Sequence, residues 1–213
     1  MLSVLRPDRS VYNGLMNTPQ APITATSSAR DRILLTAHGL FYKEGIRATG
    51  IDRVIAEAGV TKVTFYRHFP SKNDLILAFL EYRHEHWMNW FSDALRRHGQ
   101  NLRALVPALA EWFGEPDFRG CAFINSVGEL GGSLPEVVAV SRRHKDDMLA
   151  TIAALLPASR QRRQLAQVIA MAVDGAIVRA QFDASPDVAL KTLALLLRSL
   201  QTGTAAAGQK THD

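Results

Sequence analysis

The stretch IDRVIAEAGVTKVTFYRHF, residues 51–69, constrains this chain more than any other. Ile51, Val54, Ile55 and Ala58 recur at helical spacing, so one face is apolar and the other carries Asp52, Arg53 and Glu57. Gly59 follows where a helix C-terminus favours a left-handed residue, a conformation glycine adopts without steric cost. Thr61 is placed to cap a second helix. In that helix Phe65 and Phe69 stand four apart, share a face and go inward, leaving Lys62, Thr64, Tyr66 and Arg67 outward. Two short helices joined by a tight turn make a helix-turn-helix, whose second helix lies in the DNA major groove. Residues 61–72 carry Lys62, Arg67 and Lys72 and no acidic residue, and His68 adds a donor that can meet a phosphate.

The runs AGVTK (58–62), TFYRHF (64–69) and SKNDL (71–75) lie downstream of Leu40-Phe41, Gly45 and Thr49. Together, over residues 30–79, they resemble the N-terminal signature of the TetR family of bacterial repressors. The resemblance implies DNA contacts from Arg30, Thr49, Thr61, Lys62 and Val63, and from Thr64, Tyr66, Arg67, His68 and Lys72. It also implies a C-terminal helical domain that binds a ligand and dimerises through its last two helices. Two residues depart from the family pattern. Val63 stands where the family usually has a small residue, and would stand off a base edge or meet a thymine methyl. Gly50 replaces the usual Thr or Ser.

A chain of 213 residues can bury a real core and holds one or two domains. With 47% apolar and 21% charged residues it reads as globular. The net charge of +5 is by itself only a mild pointer to a polyanionic partner. The single cysteine, Cys121, excludes an intramolecular disulfide and suits a reducing compartment. No apolar run approaches the roughly 18 residues of a membrane span. The N-terminus carries no continuous apolar segment of the export type. A cytoplasmic protein without a membrane partner is expected.

The chain divides into an unstructured arm (1–28), a DNA-binding head (29–76), a ligand-binding and dimerisation domain (77–203) and a flexible tail (204–213). The arm mixes Pro, Ser, Thr, Asn and Gly without a period; Arg6 and Arg9, with Arg30 and Arg32 just after it, could touch phosphates or the minor groove, or the arm is a plain leader. A first helix spans 29–44 with Ile33, Leu34, Ala37, Leu40 and Phe41 as its stripe. Gly45 stops it, and Thr49 is expected to cap the next. Pro70 breaks the chain, and Ser71 caps a long aromatic helix to about residue 98, the mechanical link between head and body. Further helices are expected at about 101–113, interrupted or kinked at Pro107, and at 121–130. A Ser133–Glu136 capping box should open the helix to 156, followed by helices at 159–182 and from Ser185-Pro186 to about 201. No stretch shows strand alternation, so the fold class is all-α.

The last two helices carry broad apolar stripes: Ile169, Val173, Ala176, Ile177 and Ala180 on one, and Leu190, Leu193, Ala194, Leu197 and Leu200 on the other. Paired with a second copy they would form a four-helix bundle, so the dimer interface is placed there. Trp87, Trp90, Phe91, Trp112 and Phe113, with Cys121, Phe123 and Asn125, are read as the lining of a cavity for a small apolar or aromatic ligand. Asp174 on an apolar face is added as the group that would answer a cationic ligand or a partner such as Arg179.

Enzymatic chemistry finds no footing. His84 and His86 are two apart on a helix and cannot share a metal, and there is no HExxH, CxxC or phosphate-cradling glycine loop. Ser126 lacks the preceding glycine of a nucleophile elbow, and His144 to Asp147 read as a solvated face. The chain is therefore expected to be a ligand-responsive, dimeric repressor of operator DNA that needs no cofactor or metal. The alternatives are a small-molecule binding protein whose head does not read DNA, and a ligand-independent or metal-responsive regulator.

Overall fold

The computed structural model describes residues 28–209. Among them there are α-helices, one 3-10 turn and no strand. Helix α1 (Ala29–Glu44), α2 (Ile51–Ala58) and α3 (Lys62–His68) form the head. α4 (Lys72–Arg97) leaves it and packs on α1 and on α7 (Pro135–Ala154). After a 3-10 turn at Leu102–Ala104 come α5 (Leu105–Phe113) and α6 (Ala122–Leu130). α8 (Arg162–Phe182) and α9 (Asp187–Gln209) close the body, with α8 packed between α7 and α9.

The head is built by local signals. Ser28 accepts the Asp31 N–H to cap α1, Thr61 accepts the Thr64 N–H to cap α3, and Ser71 accepts the Asp74 N–H to cap α4. Each leaves one fewer orphan N–H, a gain of about 1 kcal/mol. Gly59 ends α2 at φ 63° and ψ 42°, the left-handed conformation that lets the chain reverse into α3. Phe65 and Phe69 are buried with Ile33, Ala37 and Val54 beneath them. One continuous apolar core runs from this cluster along Phe79 and Leu80 into the body. A shift of α4 is therefore felt by the head, because close-packed interiors transmit displacement.

Several expectations change. α2 begins after Gly50 with no side-chain cap, because Thr49 is wholly buried and turns its hydroxyl back to the Gly45 carbonyl at 2.8 Å. The Ser133 capping box does not form. Its hydroxyl bonds Leu130 O, and α7 starts from Leu134 with Pro135 in its first turn, where a missing N–H costs nothing. Pro107 falls in the first turn of α5, where a proline is tolerated, so the interruption comes earlier, at the 3-10 turn of Leu102–Ala104. α9 continues through Gly203 to Gln209, a glycine inside a helix costing only about 1 kcal/mol. Arg6 and Arg9 of the proposed arm lie outside the described residues.

Candidate functional site

On α3 the inward and outward faces separate cleanly. Phe65 is wholly buried, edge-on to Tyr66 at 5.2 Å, while Val63 is 71% and Tyr66 40% exposed. Thr61, Lys62, Arg67 and His68 are exposed too. Lys62 reaches Asp52 only at 3.8 Å across open solvent, a pairing worth little and easily given up. Thr64 is half-buried and shares its hydroxyl with Thr61 Oγ1 at 2.9 Å. Arg30 is exposed and its guanidinium lies over the Phe69 ring at 5.4 Å.

Two residues expected at the DNA are placed elsewhere. Thr49 has no exposed surface and serves the packing under α2. Lys72 donates to Ile46 O at 2.7 Å and lies over the Phe41 ring at 6.0 Å, where burial lowers its pKa. Its ammonium clamps the turn between α1 and α2.

The same turn is gripped from the body. Glu129, near the end of α6, accepts the Ile46 N–H at 3.2 Å and the Arg47 N–H at 2.8 Å. These are charge-assisted bonds across a long stretch of sequence, and nothing local in the sequence marks Glu129 for the role. Beside this contact is a cleft of about 420 Å³ between α1, α4 and α6, lined by Tyr42, Phe79, Arg119, Asn125 and Glu129 among others. Asn125 lines this cleft and donates to Arg119 O at 2.9 Å, so it does not join the tryptophans.

The aromatic residues of the body pack on one another more than they line a space. Trp87 stacks on Phe91 at 4.6 Å and meets Trp112 edge-on at 5.5 Å. Trp90 and Phe113 pack behind Trp112, at 6.3 and 5.9 Å. What opens between α4, α5, α6, α7 and α8 is a chamber of only about 10 Å³, walled by Trp87, Trp112, Cys121, Phe123 and three polar side chains: Arg83, His144 and Lys145. Asp174 sits at its edge and pairs with Lys145 at 2.6 Å, while Arg179 pairs instead with Asp183.

Those polar side chains escaped the sequence reading. His144 is buried, not solvated: its ring stacks on Phe123 at 3.7 Å and its Nδ1 lies 3.2 Å from His84 Nδ1. Burial, then the charge of Lys145, pushes its pKa down to about 2. Arg83 is 1% exposed; its guanidinium lies 4.1 Å from the Tyr42 ring centroid, and burial lowers its pKa. His38, 3.5 Å from Arg83 Nη1, is likewise held well below 6.5 by burial and then by Arg83.

The last two helices face the other way from the expected one. Ile169, Val173, Ala176 and Ile177 of α8, and Leu193 and Leu197 of α9, are buried in the chain's own core, with Ala180 and Leu200 packed against it. About 180° round each helix a second apolar stripe is exposed: Val168, Met171 and Phe182 on α8, Val188 and Leu195 on α9. Both stripes are apolar, which is why α8 is long and apolar enough to cross a membrane, at mean hydropathy 1.3. It is the one such helix among the described residues. Its inner face is core and Asp174 is ion-paired at mid-length, the arrangement of a core helix with one face left over.

Residues 33–79 match the family model described as bacterial regulatory proteins, tetR family. A TetR-family transcriptional regulator from Streptomyces coelicolor is 33% identical, superposes with a TM-score of 0.73, and is covered over 81% of this chain and 88% of its own. The HTH-type transcriptional activator FasR of Mycolicibacterium smegmatis is 36% identical over 98 residues, 45% of this chain and 44% of FasR. The match thus spans less than half the length of that relative. The HTH-type transcriptional repressor BepR of Brucella suis is 27% identical over 148 residues, 66% of this chain and 70% of BepR.

Proposed function

The chain belongs to the TetR family of bacterial regulatory proteins, and on that premise we propose a dimeric regulator that binds operator DNA through α3 and releases it when a small molecule enters the body. The observation that carries this reading is the seating of α3: Phe65 and Phe69 lock it down while Lys62, Tyr66, Arg67 and His68 stand in solvent, on a helix that carries no acidic residue. Lys62, His68 and Arg67 meet phosphates, and Val63 and Tyr66 face base edges. Thr64 contributes from the half-buried side, and Arg30 from the start of α1. The exposed stripe of Val168, Met171, Phe182, Val188 and Leu195 pairs with its copy in a second chain to make a four-helix bundle. That places two α3 helices on successive major-groove half-sites, about 34–36 Å apart.

Coupling runs through Glu129. A ligand that parts α4, α6 and α7 moves the carboxylate holding Ile46 and Arg47, and with it the head spacing. The ligand shifts the equilibrium only by its preference for one spacing over the other. An operator overlapping a promoter then gives repression, the role named for BepR; FasR is named an activator. The test is a gel shift of the protein on DNA flanking its own gene, with a reporter for the sign. Retarded DNA that competitor of unrelated sequence does not displace supports the reading. Binding that is absent, or indifferent to sequence, overturns it in favour of a small-molecule binding protein with a silent head.

A further inference from the structure

The chamber in the body holds a guanidinium that meets the Tyr42 ring and His38 but, among the described residues, no carboxylate. Arg83 is buried at 1% exposure, and among the described residues no carboxylate stands within salt-bridge distance of it. Its Nη1 meets only His38, at 3.5 Å, and its Nη2 has no hydrogen-bond partner. The other cation of the chamber, Lys145, is already matched by Asp174 at 2.6 Å. Two further residues that line the chamber carry donors without partners, the buried indole N–H groups of Trp87 and Trp112. All three residues line one small space, about 10 Å³, enough for roughly one water molecule.

Buried donors without acceptors are costly, and a buried guanidinium without a counter-ion more so. Arginine cannot relieve the strain by losing its proton as lysine can. Three unpartnered donors on residues that line one chamber, one of them cationic, with no acceptor among them, suit an anion. Resting on the proposed ligand site, we propose that the effector of this protein is a carboxylic acid whose carboxylate pairs with Arg83 and accepts from the Trp87 and Trp112 indoles. The planar fork of Arg83 suits a carboxylate held by two parallel bonds. His144, stacked on Phe123, and the stacked ring of Trp87 form the apolar wall against which the rest of the acid lies. An acid larger than acetate displaces these rings, and that displacement is how binding is felt by α6 and α7.

The experiment uses the full chain, titrated with acetate and benzoate, with acetamide and benzamide as neutral isosteres, and with chloride as the inorganic anion. Melting temperature and tryptophan emission are read, with DNA retardation followed separately. Millimolar acids are expected to raise the melting temperature and shift the emission, with the amides and chloride far weaker. Arg83→Met, which exchanges an unanswered charge for an apolar side chain, is expected to melt no lower than wild type. Its affinity for the acids should be at least about thirtyfold weaker. Trp112→Phe keeps the wall and removes one donor, and should weaken the acids about tenfold or less. The proposal is overturned if the amides act as well as the acids, if chloride alone saturates the response, if no acid acts, or if Arg83→Met still responds. DNA binding that fails while acids still bind through Arg83 refutes the regulator and leaves the anion site standing. Release of DNA by a neutral compound alone does the reverse.

Discussion

Met171 and Leu195 are the residues on which the proposed dimer turns. Met171 is 76% exposed and Leu195 58%, in the outward stripes of α8 and α9. Burying a whole Met or Leu side chain is worth about 1.5–3 kcal/mol, so the exposed share of each is worth about 1–2 kcal/mol on pairing. A two-fold interface uses each residue twice, and replacement therefore removes about 2–4 kcal/mol. Glutamate adds the cost of a carboxylate pressed into an apolar seam, several kcal/mol unless it escapes to water. Met171→Glu and Leu195→Glu should each weaken the dimer by at least about a thousandfold. Leu197, two residues on from Leu195 and so about half a turn round the helix, is 3% exposed and faces the core, so Leu197→Glu should unfold the chain instead. Sedimentation velocity at micromolar concentration, paired with far-ultraviolet circular dichroism, separates the cases. Wild type is expected near twice 23.5 kDa, and Met171→Glu and Leu195→Glu near 23.5 kDa with helix retained. Leu197→Glu is expected to lose helix or precipitate. A helical, monomeric Leu197→Glu beside dimeric Met171→Glu would refute the assignment of faces.

The head allows a similar separation. Phe65→Ala, at a wholly buried ring, should cost about 3–5 kcal/mol, lower the melting temperature by about 6–20 °C and weaken DNA binding with it. Lys62→Ala should leave melting unchanged and flatten the slope of log affinity against log salt by about 1 per half-site lysine. Glu129→Ala removes two charge-assisted bonds to the head, and should cost about 1.5–3 kcal/mol and blunt ligand-driven release of DNA, measured as operator affinity with and without ligand. Unchanged coupling there would mean that the signal travels by α4 alone. Acid should unfold the chain early. His144, at about 2, and His38, held well below 6.5, are neutral when folded and protonate on unfolding, so the unfolded state binds more protons below about 6.5. Stability is full above that pH and falls by up to about 1.4 kcal/mol per unit for each histidine as pH drops toward the folded values. Denaturant melts of His144→Phe between pH 7 and 4 should show a shallower fall than wild type.

The head was legible in the sequence because its signals are local. Gly59 names the turn, Thr61 and Ser71 cap the helices that follow them, and Phe65 with Phe69 leave α3 one way to sit. Each needs only neighbours a turn away, so spacing alone orients the helix. The body does not work this way. On α8 and α9 two opposite apolar stripes compete for the core, and periodicity finds stripes without saying which one a neighbouring helix will cover. The inward choice of Ile169 and Leu197 over Met171 and Leu195 is made by packing against other helices, α7 for α8 and α5 for α9. Thr49 and Ser133 look like caps by residue type, yet their hydroxyls turned to carbonyls behind them, at Gly45 and Leu130. The chamber is the extreme case. Arg83 and His144 have the residue types of a wet surface, and only the closing of α4, α6 and α7 over them takes the water away. Burial then leaves an ordinary arginine as a charge without a carboxylate partner, because the cost of a charge depends on the medium around it and not on its place in the sequence.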